Sequence, residues 1–345
     1  MGGSRIAWAA PALGLLVAAA PAQAAWAPEP MPATAGALPP ALSLVATPDG
    51  RVLALFEGFR QDSGRFTGIA VRDPAGAWMR AADLRGIGWG GARLLSAGGS
   101  ATTVVARRVT GFGRFHRARF ELVWARGGTD GSVGRFRRLA RSAGAPAAAA
   151  GPDGSALVAW TPQGGGPVRA SERAPGGGFG PGRRLGRFAD DVVAAAVGAD
   201  GEQVVLWTSG GSLRARVGRP AGAWGPDERI PGGAATPAGG ARVTVAPDGR
   251  VLVAWASAVT REGRPVRLEG RAAVRSRRGR WHGRRLVRAT LPEGALSAEP
   301  TAVPMYAGGR LLVAYTGVAA SGAATAPRVS GARGAVAAAE AATPV

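Results

Sequence analysis

The chain has 345 residues, of which 43 are basic and 22 acidic, with 56 glycines, 26 prolines and no cysteine. This composition excludes a collagen, a disulfide-stabilised mini-protein and an acidic disordered chain. All 43 basic residues are arginine. The absence of lysine excludes a phosphate-loop lysine and a Schiff base, and the absence of cysteine excludes thiol nucleophiles and zinc–thiolate sites.

The N-terminus has the features of a secretory signal peptide. Arg5 is the single charge before an apolar run, and Ala22-Gln23-Ala24 supplies the small-x-small cleavage pattern. The run is interrupted by proline and falls short of the ~20 apolar residues that span a bilayer. We therefore predict a signal peptide at residues 1–24 and a secreted protein, extracellular or associated with the cell envelope, without a membrane span after cleavage.

An internal repeat follows a proline-rich leader at residues 25–41. Four segments share an Asp-Gly turn and an apolar strand that ends in an aromatic residue seven positions after the aspartate. They run from Asp49 to Phe56, from Asp153 to Trp160, from Asp200 to Trp207 and from Asp248 to Trp255. Weaker copies begin near Gly98 and Gly308, so six units recur at about 50 residues, a spacing typical of propeller blades.

Each unit continues in the same order. An alternating stretch such as Leu213 to Val217 predicts a half-exposed strand, a glycine-rich turn ends in an aromatic such as Trp224, and a short outer segment closes at a residue such as Ile230. The sequence thus predicts an all-β fold, a six-bladed β-propeller at residues 42–330 with about four antiparallel strands per blade. We expect a monomer, with the leader completing the last blade and residues 331–345 forming a flexible tail.

The repeat resembles secreted bacterial six-bladed β-propeller repeats and, more loosely, sialidase-like propellers. The resemblance covers about residues 42–317 and implies the architecture. Sialidase-like enzymes carry an Asp box, Ser-x-Asp-x-Gly-x-x-Trp, between the third and fourth strands. Here Pro175-Gly176-Gly177-Gly178-Phe179 is representative of that turn and lacks the serine and the aspartate. Neither an arginine triad nor a tyrosine nucleophile is carried over.

Most of the repeated residues have a structural interpretation. The aromatics that end the second strands are expected to pack between blades, and the Asp-Gly pairs are expected to form turns. Arginine pairs before the closing leucine are expected to protect exposed edge strands. The densest arginine patch, at residues 271–288, is the surface that we would favour for a polyanion.

The candidate ligand site comes from three long predicted loops between second and third strands, at residues 57–65, 107–117 and 256–265. Such loops would meet on one face of a propeller, joined by Trp89 and by the pair Asp190-Asp191 from connections between blades. Arginine-rich pockets suit a carboxylate or an anionic sugar, although exposed loops are commonly charged without binding anything. The candidate residues are Arg60, Asp62, Arg107, Arg108, Arg114, His116, Arg261 and Glu262.

The residue types and motifs that the chain contains narrow its possible functions further. The two histidines fall in different units, so we predict no metal site and no cofactor. Export and the lack of a recognisable motif argue against nucleic acid. We predict a non-enzymatic binding or scaffold module for an anionic glycan or an acidic cell-envelope polymer. The alternative is a sialidase-like glycan hydrolase or lyase, and a third interpretation is a structural envelope protein that adheres to acidic polymers.

Overall fold

A computed structural model describes residues 43–60, 64–96, 101–112, 118–220, 222–234, 240–261, 264–290, 295–307 and 310–321. The predicted signal peptide, leader and tail lie outside the described residues and stay predictions. Within the described ranges the protein is all-β, and no helix there is long and apolar enough to cross a membrane.

In the part of the chain that the structure describes, five four-stranded antiparallel sheets and one two-stranded sheet follow one another. The first sheet contains β1 (Ser43–Ala46), β2 (Val52–Arg60), β3 (Gly64–Arg72) and β4 (Trp78–Asp83). The second contains β5 (Ile87–Ser96), β6 (Ala101–Phe112), β7 (Ala118–Gly128) and β8 (Arg137–Ala140). The third contains β9 (Ala147–Ala150), β10 (Ala156–Trp160), β11 (Arg169–Arg173) and β12 (Arg183–Arg184).

The remaining sheets repeat this order. The fourth contains β13 (Asp191–Val197), β14 (Gln203–Ser209), β15 (Ser212–Gly218) and β16 (Glu228–Ala234). The fifth contains β17 (Ala241–Val245), β18 (Val251–Arg261), β19 (Arg264–Arg275) and β20 (Trp281–Thr290). The sixth pairs β21 (Ala295–Ala307) with β22 (Arg310–Ser321). Each of the five complete sheets is a meander of hairpins, and this series is consistent with a β-propeller.

The first strands of the sheets are the innermost. β1, β5, β9, β13, β17 and β21 contact one another in that order, and side chains from the first five of these sheets line a shared cavity of about 420 Å³. We call this cavity the central channel. Its lining residues are Ser43, Ala92, Arg93, Ala147, Ala148, Val193, Ala194, Ala195, Arg242 and Val243.

Apolar side chains between consecutive sheets form the core. Five clusters join the first sheet to the second, the second to the third, and so on to the sixth. Trp160, Trp207 and Trp255 are at most 3% exposed and belong to these clusters. Packing between blades is therefore confirmed as the role of these three aromatics.

Two aromatics of the glycine-rich turns make hydrogen bonds in addition to apolar contacts. The indole N–H of Trp224 donates to Glu172 of the preceding sheet at 3.2 Å, and that of Trp281 donates to Glu228, again one sheet back. Both rings also pack on the core clusters. These tryptophans thus fasten neighbouring sheets through a hydrogen bond that the sequence analysis did not anticipate.

The prediction of three long loops between second and third strands is wrong. β2 and β3 stay paired as far as Arg60 opposite Gly64, β6 and β7 as far as Phe112 opposite Ala118, and β18 and β19 as far as Arg261 opposite Arg264. The strands continue because antiparallel pairing satisfies backbone donors and acceptors that a loop would leave to water. Long hairpins replace the loops, and their tips lie outside the described residues.

The Asp-Gly turns are confirmed. Gly154 has a φ of 84°, a left-handed value that favours glycine, and Asp153 accepts hydrogen bonds from the backbone N–H and the hydroxyl of Ser155 at 3.0 and 2.6 Å. Between β7 and β8, Asp130 accepts the same two bonds from Ser132. In both turns the serine hydroxyl is the main cause that holds the pKa of the aspartate below its usual range.

These turns predict acid sensitivity. A carboxyl group whose pKa is lower in the folded than in the unfolded chain stabilises the fold above the unfolded value of about 3.9. That contribution disappears as the pH falls through the lower folded value. Asp153→Asn is therefore expected to lose less stability than the wild type between pH 5 and pH 3 in urea unfolding experiments. The matched control is Asp200→Asn, since Asp200 is exposed and its Asp-Gly turn has Glu202 in place of the serine. Equal loss in the wild type and Asp153→Asn would contradict the role of the turn.

Candidate ligand-binding site

Charged side chains gather at the central channel. Arg93 of β5 and Arg242 of β17 both line it. Burial lowers the pKa of Arg93, the positive charge of Arg242 lowers it further, and the carboxylates of Glu57 and Asp191 act in the opposite direction. The two arginines thus repel one another across the channel, and the two carboxylates partly offset the charge of Arg93.

Arg107 joins the same group. Burial lowers the pKa of its guanidinium, and Glu57 and Asp191 raise it. The guanidinium carbon lies 4.1 Å from the centroid of the Phe120 ring, a cation–π contact that holds the side chain in place. Glu57, Arg93, Arg107, Asp191 and Arg242 are named the channel cluster below.

The two acids of the cluster lie on β2 and β13. Glu57 follows the core aromatic Phe56 on β2 and is fully buried. Asp191 begins β13 opposite Thr208, and burial raises its pKa, while the backbone N–H of Val192 and the charges of Arg107 and Arg93 offset part of this. The cluster therefore contains three guanidinium groups against two carboxyl groups, which favours an anion at the channel.

The predicted site residues are distributed differently. Arg107 belongs to the channel cluster, whereas its neighbour Arg108 pairs with Glu121 of β7. Arg261 is exposed at the end of β18. Arg60 ends β2, and its side chain lies outside the described part of the molecule. The other four candidates, Asp62, Arg114, His116 and Glu262, also lie outside the described residues.

The sequence analysis missed Glu57, Arg93 and Arg242 as site residues. A signal for the two arginines was present, because the same short motif recurs in the first strands of two units. It is Gly90-Gly91-Ala92-Arg93-Leu94 in one unit and Gly239-Gly240-Ala241-Arg242-Val243 in the other. Such a repetition of a charge within an apolar inner strand indicates a channel-facing position. Asp191 was placed near the site, and Glu57 was noted only as the start of a loop.

The arginine patch at residues 271–288 is partly neutralised. Arg271 pairs with Glu269 at 2.8 Å, Arg275 with Glu228 at 2.9 Å and Arg277 with Asp248 at 3.4 Å. Each of these ion pairs uses charge that a polyanion would otherwise bind. The channel cluster is thus a better candidate than this patch for specific recognition. Among the described residues, no three His, Asp or Glu side chains gather closely enough to hold a metal ion.

Comparisons with known proteins identify the fold. No family model matches the chain, and no curated protein matches it. Among solved structures, it is similar to a polysaccharide lyase, the PL25 ulvan lyase, with a TM-score of 0.51, 10% identity and 81% of each chain covered. A mutant of the NanB sialidase from Streptococcus pneumoniae gives a TM-score of 0.49 and 10% identity, covering 79% of this chain and 64% of that one. At such identities the likeness shows the fold alone.

Proposed function

We propose that this protein is a secreted, non-enzymatic binding or scaffold module that recognises an anionic glycan or an acidic polymer of the cell envelope at the central channel. The observation that carries the proposal is that Arg93 and Arg242, from two different sheets, both line the central channel, where their like charges repel one another. An anion held between two guanidinium groups relieves that repulsion and accepts charge-assisted hydrogen bonds from both. Burial of Arg93 strengthens the bonds that this side chain donates, because less water screens them.

A glycan is the favoured class of anion for two reasons. The ulvan lyase with the similar fold has also been solved with -[GlcA(1-4)Rha3S]-, a glycan that contains uronic acid and sulfate. The proposed signal peptide would in addition deliver the protein to the compartment in which acidic envelope polymers are found. We further propose a monomeric six-bladed propeller in which the leader at residues 25–41 adds strands beside β21 and β22.

The binding proposal is tested with the mature chain, residues 25–345, on an array of neutral and anionic glycans at physiological salt. Arg242 is exposed, so Arg242→Ala is expected to fold. Loss of a charged hydrogen bond costs about 1.5–3 kcal/mol, so we expect the affinity for the retained anionic glycan to fall by roughly 10- to 100-fold.

The matched control is Arg278→Ala, which removes the same charge from an exposed position outside the channel. Equal weakening by both variants, together with binding that vanishes as salt rises, would mean that the charge acts as a general surface property. The channel would then be discarded as a binding site.

The alternative, a glycan hydrolase or lyase, is supported by one observation. Asp191 combines a raised pKa with two arginine neighbours, the setting expected of a carboxyl group that transfers a proton. Turnover of any retained glycan, abolished in Asp191→Asn while binding persists, would favour this alternative. Binding without release of shorter products would support the non-enzymatic module.

A further inference from the structure

A second charged cavity lies between the third and fourth sheets. It has a volume of about 560 Å³, within the usual range of ligand pockets. Its wall comes from β12 and the connection to β13, and from β14, β15 and the connection to β16. The lining residues are Arg184, Leu185, Gly186, Arg187, Phe188, Ser209, Arg214, Arg216 and Asp227. We call it the inter-sheet cleft.

The cleft has a strong excess of positive charge. Asp227 is the one acid that lines it, and this carboxylate accepts a hydrogen bond from Nε of Arg214 at 2.7 Å. Nε of Arg216 is buried and has no hydrogen-bond partner in the described structure. Among the described residues, Arg184 donates hydrogen bonds to the backbone carbonyls of Gly186 and Arg187 and to no carboxylate. Four guanidinium groups thus face a single carboxylate, and a buried donor remains available to an acceptor.

An aromatic ring completes the cleft. Phe188 is 57% exposed, although a phenylalanine is usually buried. An exposed apolar ring beside arginines matches the two faces of an acidic sugar, whose C–H surface packs on an aromatic and whose carboxylate or sulfate pairs with a guanidinium.

A short stretch of chain connects the cleft to the channel cluster. Phe188 and Asp191 are three residues apart. The intervening Asp190 is fixed to the end of β14, because its backbone N–H donates to Thr208 at 2.8 Å and its carboxylate accepts from the N–H of Gly210 at 3.1 Å. Ser209, between these two partners, lines the cleft. One rigid connection therefore carries Phe188 of the cleft and Asp191 of the channel cluster.

We propose that the inter-sheet cleft is a second anion subsite and that the ligand is an acidic oligosaccharide chain that extends from the channel to the cleft. This inference rests on the proposed function and names its substrate class: a polymer with acidic groups on successive sugars, rather than one terminal acidic sugar. When one acidic group of the ligand occupies the first subsite, the linked sugars are held at a high effective concentration near the second. The affinity therefore depends on the length of the ligand.

Calorimetric titration with hexagalacturonate and with galacturonic acid tests this inference. We expect Arg187→Ala and Phe188→Ala, both at exposed positions, to weaken hexagalacturonate binding by about tenfold each, by loss of a charged hydrogen bond or of an aromatic contact. Neither change should alter the affinity for galacturonic acid. Arg242→Ala should lower the affinity for both ligands. The matched controls are Arg141→Ala and Met79→Ala, both at exposed positions, and they should leave the affinity for both ligands unchanged.

The outcomes separate the two proposals. Hexagalacturonate binding that is sensitive to Arg242→Ala but unchanged in Arg187→Ala and Phe188→Ala overturns the cleft and leaves the channel site standing. Binding that is insensitive to Arg242→Ala overturns the proposed function, and with it the extended chain. Failure of the wild type to bind hexagalacturonate while it retains galacturonic acid also overturns the extended chain.

Discussion

Replacement of Trp207 with alanine is expected to lower the free energy of unfolding by about 3–5 kcal/mol, the usual cost of deleting a large buried aromatic. Trp207 is 0% exposed and packs in the cluster that joins the third and fourth sheets. Its ring has Gly186 of the preceding sheet against it, where an added Cβ would lie 3.5 Å from the indole. The lost volume would leave a cavity between the two sheets.

Trp207→Phe separates packing from hydrogen bonding. The indole N–H of Trp207 is buried without a hydrogen-bond partner in the described structure, so phenylalanine removes an unsatisfied donor along with part of the ring. We expect it to cost about 1–2 kcal/mol, well below the alanine variant. Urea unfolding of the mature chain measures both, and exposed Met79→Ala should stay within about 0.5 kcal/mol of wild type. A Trp207→Ala cost near that of Met79→Ala would show that this interface does not hold the sheets together.

Replacement of Glu228 with alanine is expected to cost about 3–5 kcal/mol, since it leaves the largely buried charge of Arg275 without its partner. Glu228 on β16 accepts two hydrogen bonds, both at 2.9 Å, from Nε and Nη2 of Arg275 on β19, one sheet further along the chain. These side chains are only 17% and 15% exposed. The same carboxylate accepts the indole N–H of Trp281. One side chain therefore joins the fourth sheet to two strands of the fifth.

An exposed ion pair supplies the comparison for Glu228. Arg80 and Asp83 pair within the first sheet, with side chains 33% and 40% exposed, and loss of such a pair costs at most about 1 kcal/mol. Asp83→Ala should thus be much milder than Glu228→Ala in the same urea experiment. Glu228→Gln, which keeps the shape and one acceptor, should fall between them. Similar costs for the Glu228 and Asp83 alanine variants would refute a special role for the bridge between sheets.

The repeat was readable from the sequence because each unit obeys local rules. An aspartate and a glycine suffice for the turn at residues 153–154, and an apolar run that ends in Trp160 suffices for a buried second strand. Exposure of the arginine pairs on β8 and β12 follows from the same reasoning about edge strands. None of these features requires knowledge of which residues meet across the molecule.

Local rules were insufficient at the ends of the second strands. Residues such as Thr260 and Arg261 have a polar character that suits a loop equally well, and only pairing with β19 makes them strand. The predicted loop site consequently became long hairpins, and Arg107 alone among the predicted site residues is placed at the channel with described partners.

The amino-acid sequence by itself determined the all-β class, the repeated turn and strand order, and the buried aromatics, because these depend on neighbours within a few residues. The tertiary structure decided which charges meet. Glu57, Arg93, Arg107, Asp191 and Arg242 come from four sheets, and they interact only because the first strands converge around one channel. Electrostatic interactions depend on distance in space, and the sequence does not give the distance between strands far apart in the chain.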